Sequence, residues 1–148
     1  MRYLETYVSN DTLVVREKNN DIDHGGVLVE ISENYLDRIE LNGSGLIIAE
    51  DTIYSSNLKI EIDGSGRIEA WGEAEEVRSA IFGSGLIASR SIESSIPEAR
   101  IEGSGNIDIY ASFSLFARID GSGVVRYWDN PETIDSNVDG SGAIIEIN

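Results

Sequence analysis

Apolar and polar positions alternate along most of this chain, and a recurring tripeptide punctuates the alternation. Gly-Ser-Gly begins at Gly43, Gly64, Gly83, Gly103, Gly121 and Gly140, at intervals of 21, 19, 20, 18 and 19 residues. Two residues before the first glycine stand Leu41, Ile62, Ile81, Ile101, Ile119 and Val138. Two residues after the second glycine stand Ile47, Ile68, Ile87, Ile107, Val125 and Ile144. All of these except Leu41 are β-branched, the shape that suits a pleated, half-buried strand. Four residues before the tripeptide the column reads Ile39, Ile60, Ser79, Ala99, Ala117 and Ser136, and the column between is polar except at Ala80. The period is 2 and not 3.6, so each unit predicts two short strands, of ~4–5 residues, joined through Gly-Ser-Gly.

Self-similarity at this period predicts a solenoid. The fold class is all-β, a parallel β-helix of about six Gly-Ser-Gly coils stacked ~4.8 Å apart, with the aliphatic columns facing a shared interior. The tripeptide has a backbone explanation, because a corner must turn the chain within three residues and glycine reaches positive φ freely. The serines would form a ladder whose hydroxyls bond neighbouring coils. A phosphate-cradling loop would need a helix start and usually a lysine after the glycines, and neither is present. The chain reads as a single domain, 1–148, with the repeats in 38–148 and an irregular N-terminal cap in 1–37. In that cap Val8, Leu13 and Val15, then Val27, Val29 and Ile31, predict strands, with a turn at Ser9–Thr12 and a break at Gly25-Gly26.

Composition narrows the function classes. Eleven Lys+Arg against 27 Asp+Glu give a net charge of −16, which argues against nucleic acid and against anionic membrane surfaces. No apolar run approaches the ~18 residues of a membrane span, so membrane insertion is not expected. Without cysteine there is no disulfide framework and no thiolate chemistry. The first residues lack the apolar core of a signal peptide, so the protein is cytoplasmic or the chain begins after a removed leader.

The repeated apolar-x-Gly-Ser-Gly-x-apolar units resemble the head GIN domain family, the bacterial "putative auto-transporter adhesin" domains. The most specific stretch runs from Ala117-Arg118-Ile119-Asp120-Gly121-Ser122-Gly123 through Val124-Val125-Arg126-Tyr127 and Asn130-Pro131 to Val138-Asp139-Gly140-Ser141-Gly142. It is similar to the family's final coils, where a Tyr after the corner precedes a Gly-x-Pro-type turn. Asp129 stands where that turn usually has its glycine. The resemblance implies a right-handed coil and export to the cell envelope or the extracellular space, with no known activity.

Three sets of residues are candidates for binding. Five residues after the corners stand Arg90, Tyr110 and Trp128, on neighbouring coils if the register holds; an aromatic and arginine cluster of this kind recurs in protein and glycan contacts. Glu102, Asp120 and Asp139 would lie close together and repel, which a Ca²⁺ ion would relieve; the simpler reading is a solvated ridge balanced by Arg100 and Arg118, with no metal or cofactor. His24, the only histidine, reads as a surface residue. Intervals as uniform as these leave no inserted loops to wall a groove, which argues against an enzyme.

The reading is therefore a non-catalytic structural or adhesive module of the bacterial envelope, with an unidentified protein or glycan ligand. The alternatives are a glycan-binding or glycan-processing β-helix and an intracellular polymerising scaffold. Open strand edges at the end of the stack favour homo-oligomers.

Overall fold

A computed structural model describes residues 4–18 and 29–148, and the chain divides into two compact units, Met1–Ser32 and Glu33–Asn148. In the first, β1 (Leu4–Ser9) and β2 (Thr12–Glu17) form an antiparallel hairpin with Val8 opposite Leu13 and Glu5 opposite Arg16. Asn10 and Asp11 at the predicted turn both have positive φ, 49° and 58°. That geometry matches the twist of a two-residue hairpin, and Asn and Asp tolerate it better than other side chains. Arg16 pairs with Glu5 at 2.7 Å and lies over the Tyr7 ring. Its hydrogen bond holds the Glu5 carboxyl below the usual carboxylate range. Val29 and Ile31, expected in a strand, are exposed and lie in none: among the described residues no strand pairs with this stretch, and alternation without a partner does not make a strand. Val27, His24 and Gly25-Gly26 lie outside the described residues.

The second unit is the solenoid: parallel strands, no helix among the described residues, and about six turns. Each turn has a first face that ends at Gly-Ser-Gly and a second face that begins after it. The first face stacks β3 (Arg38–Gly43), the end of β5 (Ile53–Gly64), the end of β6 (Arg67–Gly83), β8 (Ile96–Gly103), β10 (Ser114–Gly121) and β12 (Thr133–Gly140). The second face stacks β4 (Leu46–Ile48), the start of β6, β7 (Leu86–Glu93), β9 (Asn106–Tyr110), β11 (Val124–Trp128) and β13 (Ala143–Ile147). The predicted columns are in register: Ile62, Ile81, Ile101, Ile119 and Val138 follow one another on the first face. Ile68, Ile87, Ile107, Val125 and Ile144 do so on the second. Ile62, Ile81, Ile101, Ile68, Ile87 and Ile107 are completely buried, each contributing roughly 2–3 kcal/mol of burial.

Strands β5 and β6 run 12 and 17 residues, longer than the short pieces expected. The chain rounds its second corner there without breaking the ladder, pairing Ile53 with Gly72 and Gly72 with Ile92. This third, short segment of each turn is absent from the two-strand reading because it has no repeating sequence of its own.

The corner shows why glycine recurs. Gly103 has φ +126°, and a Cβ on it would sit 2.3 Å from the carbonyl oxygen of Gly83 one coil below. A Cβ on Gly105 would lie 2.7 Å from Cγ2 of Ile81 and 2.9 Å from the Gly85 oxygen. Backbone thus packs on backbone at a spacing no side chain permits. The serines differ from expectation. Their hydroxyls are exposed, and the ladder consists of their amides: Ser84, Ser104 and Ser122 each donate to the first glycine carbonyl of the preceding coil at 2.9 Å. The amide lies in the plane of the stack, whereas the Cβ of Ser is forced outward by the turn.

Candidate functional site

The outer side of the first two faces is a set of ion pairs. Lys59 meets Glu61 at 2.5 Å, Arg67 meets Glu69 at 2.5 Å and Arg126 meets Asp108 on the neighbouring coil at 2.6 Å; Arg38 pairs with Glu40 and Arg100 with Glu102. Exposed pairs of this kind contribute at most about 1 kcal/mol each. They balance charge locally, while Asp63, Asp120 and Asp139 on the first face stay exposed without an ion pair among the described residues.

The acidic column lies as the register required, with Asp120 beside both Glu102 and Asp139. Glu102 turns onto Arg100, and no group of three acidic side chains arranged to hold a metal exists among the described residues.

Arg90, Tyr110 and Trp128 are brought together at the end of the second face. Tyr110 and Trp128 are direct neighbours on β9 and β11. The Arg90 guanidinium lies over the Trp128 ring, 5.3 Å from its centroid. Arg90 reaches this place by a route that the register did not show. Between Glu69 and Trp71 of β6 the pairing with β7 slips, from Ala88 to Ser91, so β7 carries an extra residue here. A bulge of this kind re-aims a side chain.

Asp129 completes the cluster and was not among the predicted site residues. The Tyr110 hydroxyl donates to its Oδ2 at 2.7 Å. That hydrogen bond, together with burial and the nearby carboxylates, pushes the Tyr110 phenol above its ordinary value. Asp129 has φ +76°, a conformation that costs a non-glycine residue on the order of 1 kcal/mol and often marks a functional position. The signal that could have found it was its place in a turn where glycine is usual. Arg90, Ser91, Tyr110, Trp128 and Asp129 line a small open depression.

A second, larger depression contradicts the expectation that uniform coils leave no groove. An open groove of about 820 Å³ runs along the third segments from Tyr35 to Ser112 and Tyr110. No inserted loop walls it. Small side chains such as Ser55, Ala74, Ser94 and Ser112 line it, together with the rings of Tyr35, Tyr54 and Tyr110.

The comparisons with known proteins agree with this architecture. No curated protein matches the chain. A solved structure described as a putative adhesin from Bacteroides fragilis is similar in fold, with a TM-score of 0.71 at 20% identity over 98% of this chain and 77% of that one. A family model described as "Putative auto-transporter adhesin, head GIN domain" matches residues 1–131. With the Gly-Ser-Gly solenoid and that match over most of its length, the chain belongs to the head GIN domain family.

Proposed function

We propose that this protein is a non-catalytic adhesive module presented at the bacterial cell envelope, and that it contacts its partner through Arg90, Tyr110 and Trp128. The observation that carries the reading is the arrangement of that cluster: a guanidinium stacked on an indole beside a tyrosine fixed by Asp129, on a backbone that the stack holds rigid. Tyr, Trp and Arg are the residues that dominate binding energy at recognition surfaces, and pre-ordering them reduces the entropy cost of docking. The family and the fold neighbour both carry the adhesin description, which supports a binding role and a surface location over catalysis.

The test is binding of the purified protein to a glycan array and to an array of extracellular-matrix proteins. Trp128→Ala and Tyr110→Ala are each expected to reduce the bound signal about tenfold or more, because a recognition residue of this type is worth ~2 kcal/mol. Unchanged binding by both variants would place the contact elsewhere. Surface labelling of intact cells expressing the full-length gene product checks the compartment; protection of the protein from an impermeant reagent would contradict it.

A further inference from the structure

The groove along the third segments carries chemistry that the Arg90–Tyr110–Trp128 cluster does not use. Tyr35 and Tyr54 stand on successive coils, bridged through their backbones, with ring centroids 5.9 Å apart and both side chains exposed. On the next coil Tyr54 is followed by Glu73, and Glu73 by Glu93. One line parallel to the stack therefore reads aromatic, aromatic, carboxylate, carboxylate, over roughly 14 Å at ~4.8 Å per step.

Charge along this line is left uncompensated. Asp37 and Glu75 border the groove as well, and no Lys or Arg lines it. On the other faces several acids have a cation of their own, as Glu40, Glu61, Glu69 and Asp108 do. Glu73 and Glu93 have no such partner among the described residues. Like charges directly opposite in a ladder destabilise each other, and a cation placed between them would remove that cost. Exposed tyrosine faces attract cations by the ring quadrupole. Anionic polymers are repelled by the same surface. A second copy of this chain is a poor source of the cation, because seven of its 11 basic residues are already engaged in ion pairs.

We propose that this groove binds an extended peptide segment carrying Lys or Arg, with one cation over the Tyr35–Tyr54 pair and another between Glu73 and Glu93. The two positions are about two coils, ~10 Å, apart; residues on one face of an extended strand recur at ~7 Å (i, i+2) and ~13 Å (i, i+4), and the long stems of Lys and Arg take up the difference.

Fluorescence anisotropy with a labelled peptide of alternating Lys and Ser tests the assignment. Glu73→Gln/Glu93→Gln is expected to weaken binding about tenfold, and Tyr35→Ala/Tyr54→Ala about fivefold without any change of charge. Asp63→Asn/Asp139→Asn removes the same two charges from the Gly-Ser-Gly side and is expected to leave binding within about twofold. Equal losses from the two neutralised pairs would reduce the effect to the overall charge of −16 and overturn the proposal. So would a neutral oligosaccharide that displaces the peptide and binds equally well without the two glutamates. None of the substituted residues belongs to the Arg90–Tyr110–Trp128 cluster, so failure here leaves the adhesive reading standing.

Discussion

The Gly-Ser-Gly side of the solenoid and the side opposite it are built from the same coils by different rules. On the corner side every turn repeats the last: glycine over glycine, isoleucine over isoleucine, with serine amides bonded to the coil below at 2.9–3.0 Å. On the opposite side no residue type runs the length of the stack: one column reads Tyr35, Tyr54, Glu73 and Glu93. The register slips at Arg90, Asp129 takes a left-handed backbone, and aromatic, acidic and hydroxyl side chains succeed one another along the groove. Repetition is what stacking requires, so the corner side specifies the fold. Departure from repetition is affordable only where the ladder is short, and there the chain carries its recognisable chemistry.

The largest effect expected from this division is at the corner. Gly103→Ala puts a Cβ 2.3 Å from a neighbouring backbone oxygen at φ +126°, and a loss of about 3 kcal/mol or more is expected in urea denaturation. Gly43→Ala carries a similar φ, +110°, with nothing within 4 Å, so only the backbone strain remains, about 1 kcal/mol. Equal losses would mean that strain, and not the close approach of coils, makes glycine necessary.

The interior columns give the next contrast. Ile101→Ala, in a fully buried position, is expected to cost about 3–4 kcal/mol. Val138→Ala, in the same column on the last coil but 39% exposed, is expected to cost under about 1 kcal/mol. Similar values would show that the last coil is covered in solution.

Asp129 sharpens the comparison from the other side. Asp129→Gly relieves the backbone while removing the acceptor of the Tyr110 hydroxyl, so the net change in stability is expected to stay within about 1 kcal/mol. Binding through the cluster is expected to fall, since Tyr110 is no longer held. A loss of stability above about 2 kcal/mol would make Asp129 a structural residue.

The smallest effect is a pH dependence. Burial, and then the charge of Glu146, raise the Tyr127 phenol above its ordinary value. The folded state therefore favours the neutral ring. This contribution is fully present below the unfolded value of about 10 and is lost as pH rises through the higher folded value. Tyr127→Phe is expected to flatten the alkaline loss of stability, read as the unfolding midpoint against pH; an unchanged slope would remove Tyr127 as its source.

What was legible in the sequence follows the same division. The columns at Ile62–Ile119 and Ile68–Val125, the corner glycines and the nearness of Tyr110 to Trp128 could be read because period-2 alternation fixes which face a residue takes and the repeat fixes its neighbours. The two-strand reading missed the third segment, because Tyr35, Tyr54, Glu73 and Glu93 share a column whose residue type changes along the stack. With it went the groove. The bulge at Arg90 left only one trace, a 20-residue interval following one of 19, and an interval does not say where the extra residue sits. The serine hydroxyls misled because a serine in a ladder invites a side-chain bond, whereas the turn gives that bond to the amide.

Amide hydrogen exchange compares the two sides most directly, since it reads both in one sample. The amides of Ser84, Ser104 and Ser122, each bonded at 2.9 Å within the stacked corners, are expected to exchange only through global unfolding. The amides of Ser112 and Thr133, bonded at 3.4 Å on the opposite side, are expected to exchange through local opening, at least tenfold faster. Uniform protection around the coil, or slower exchange at Ser112 and Thr133 than at the corners, would contradict the division of the solenoid into a side that holds the fold and a side that recognises.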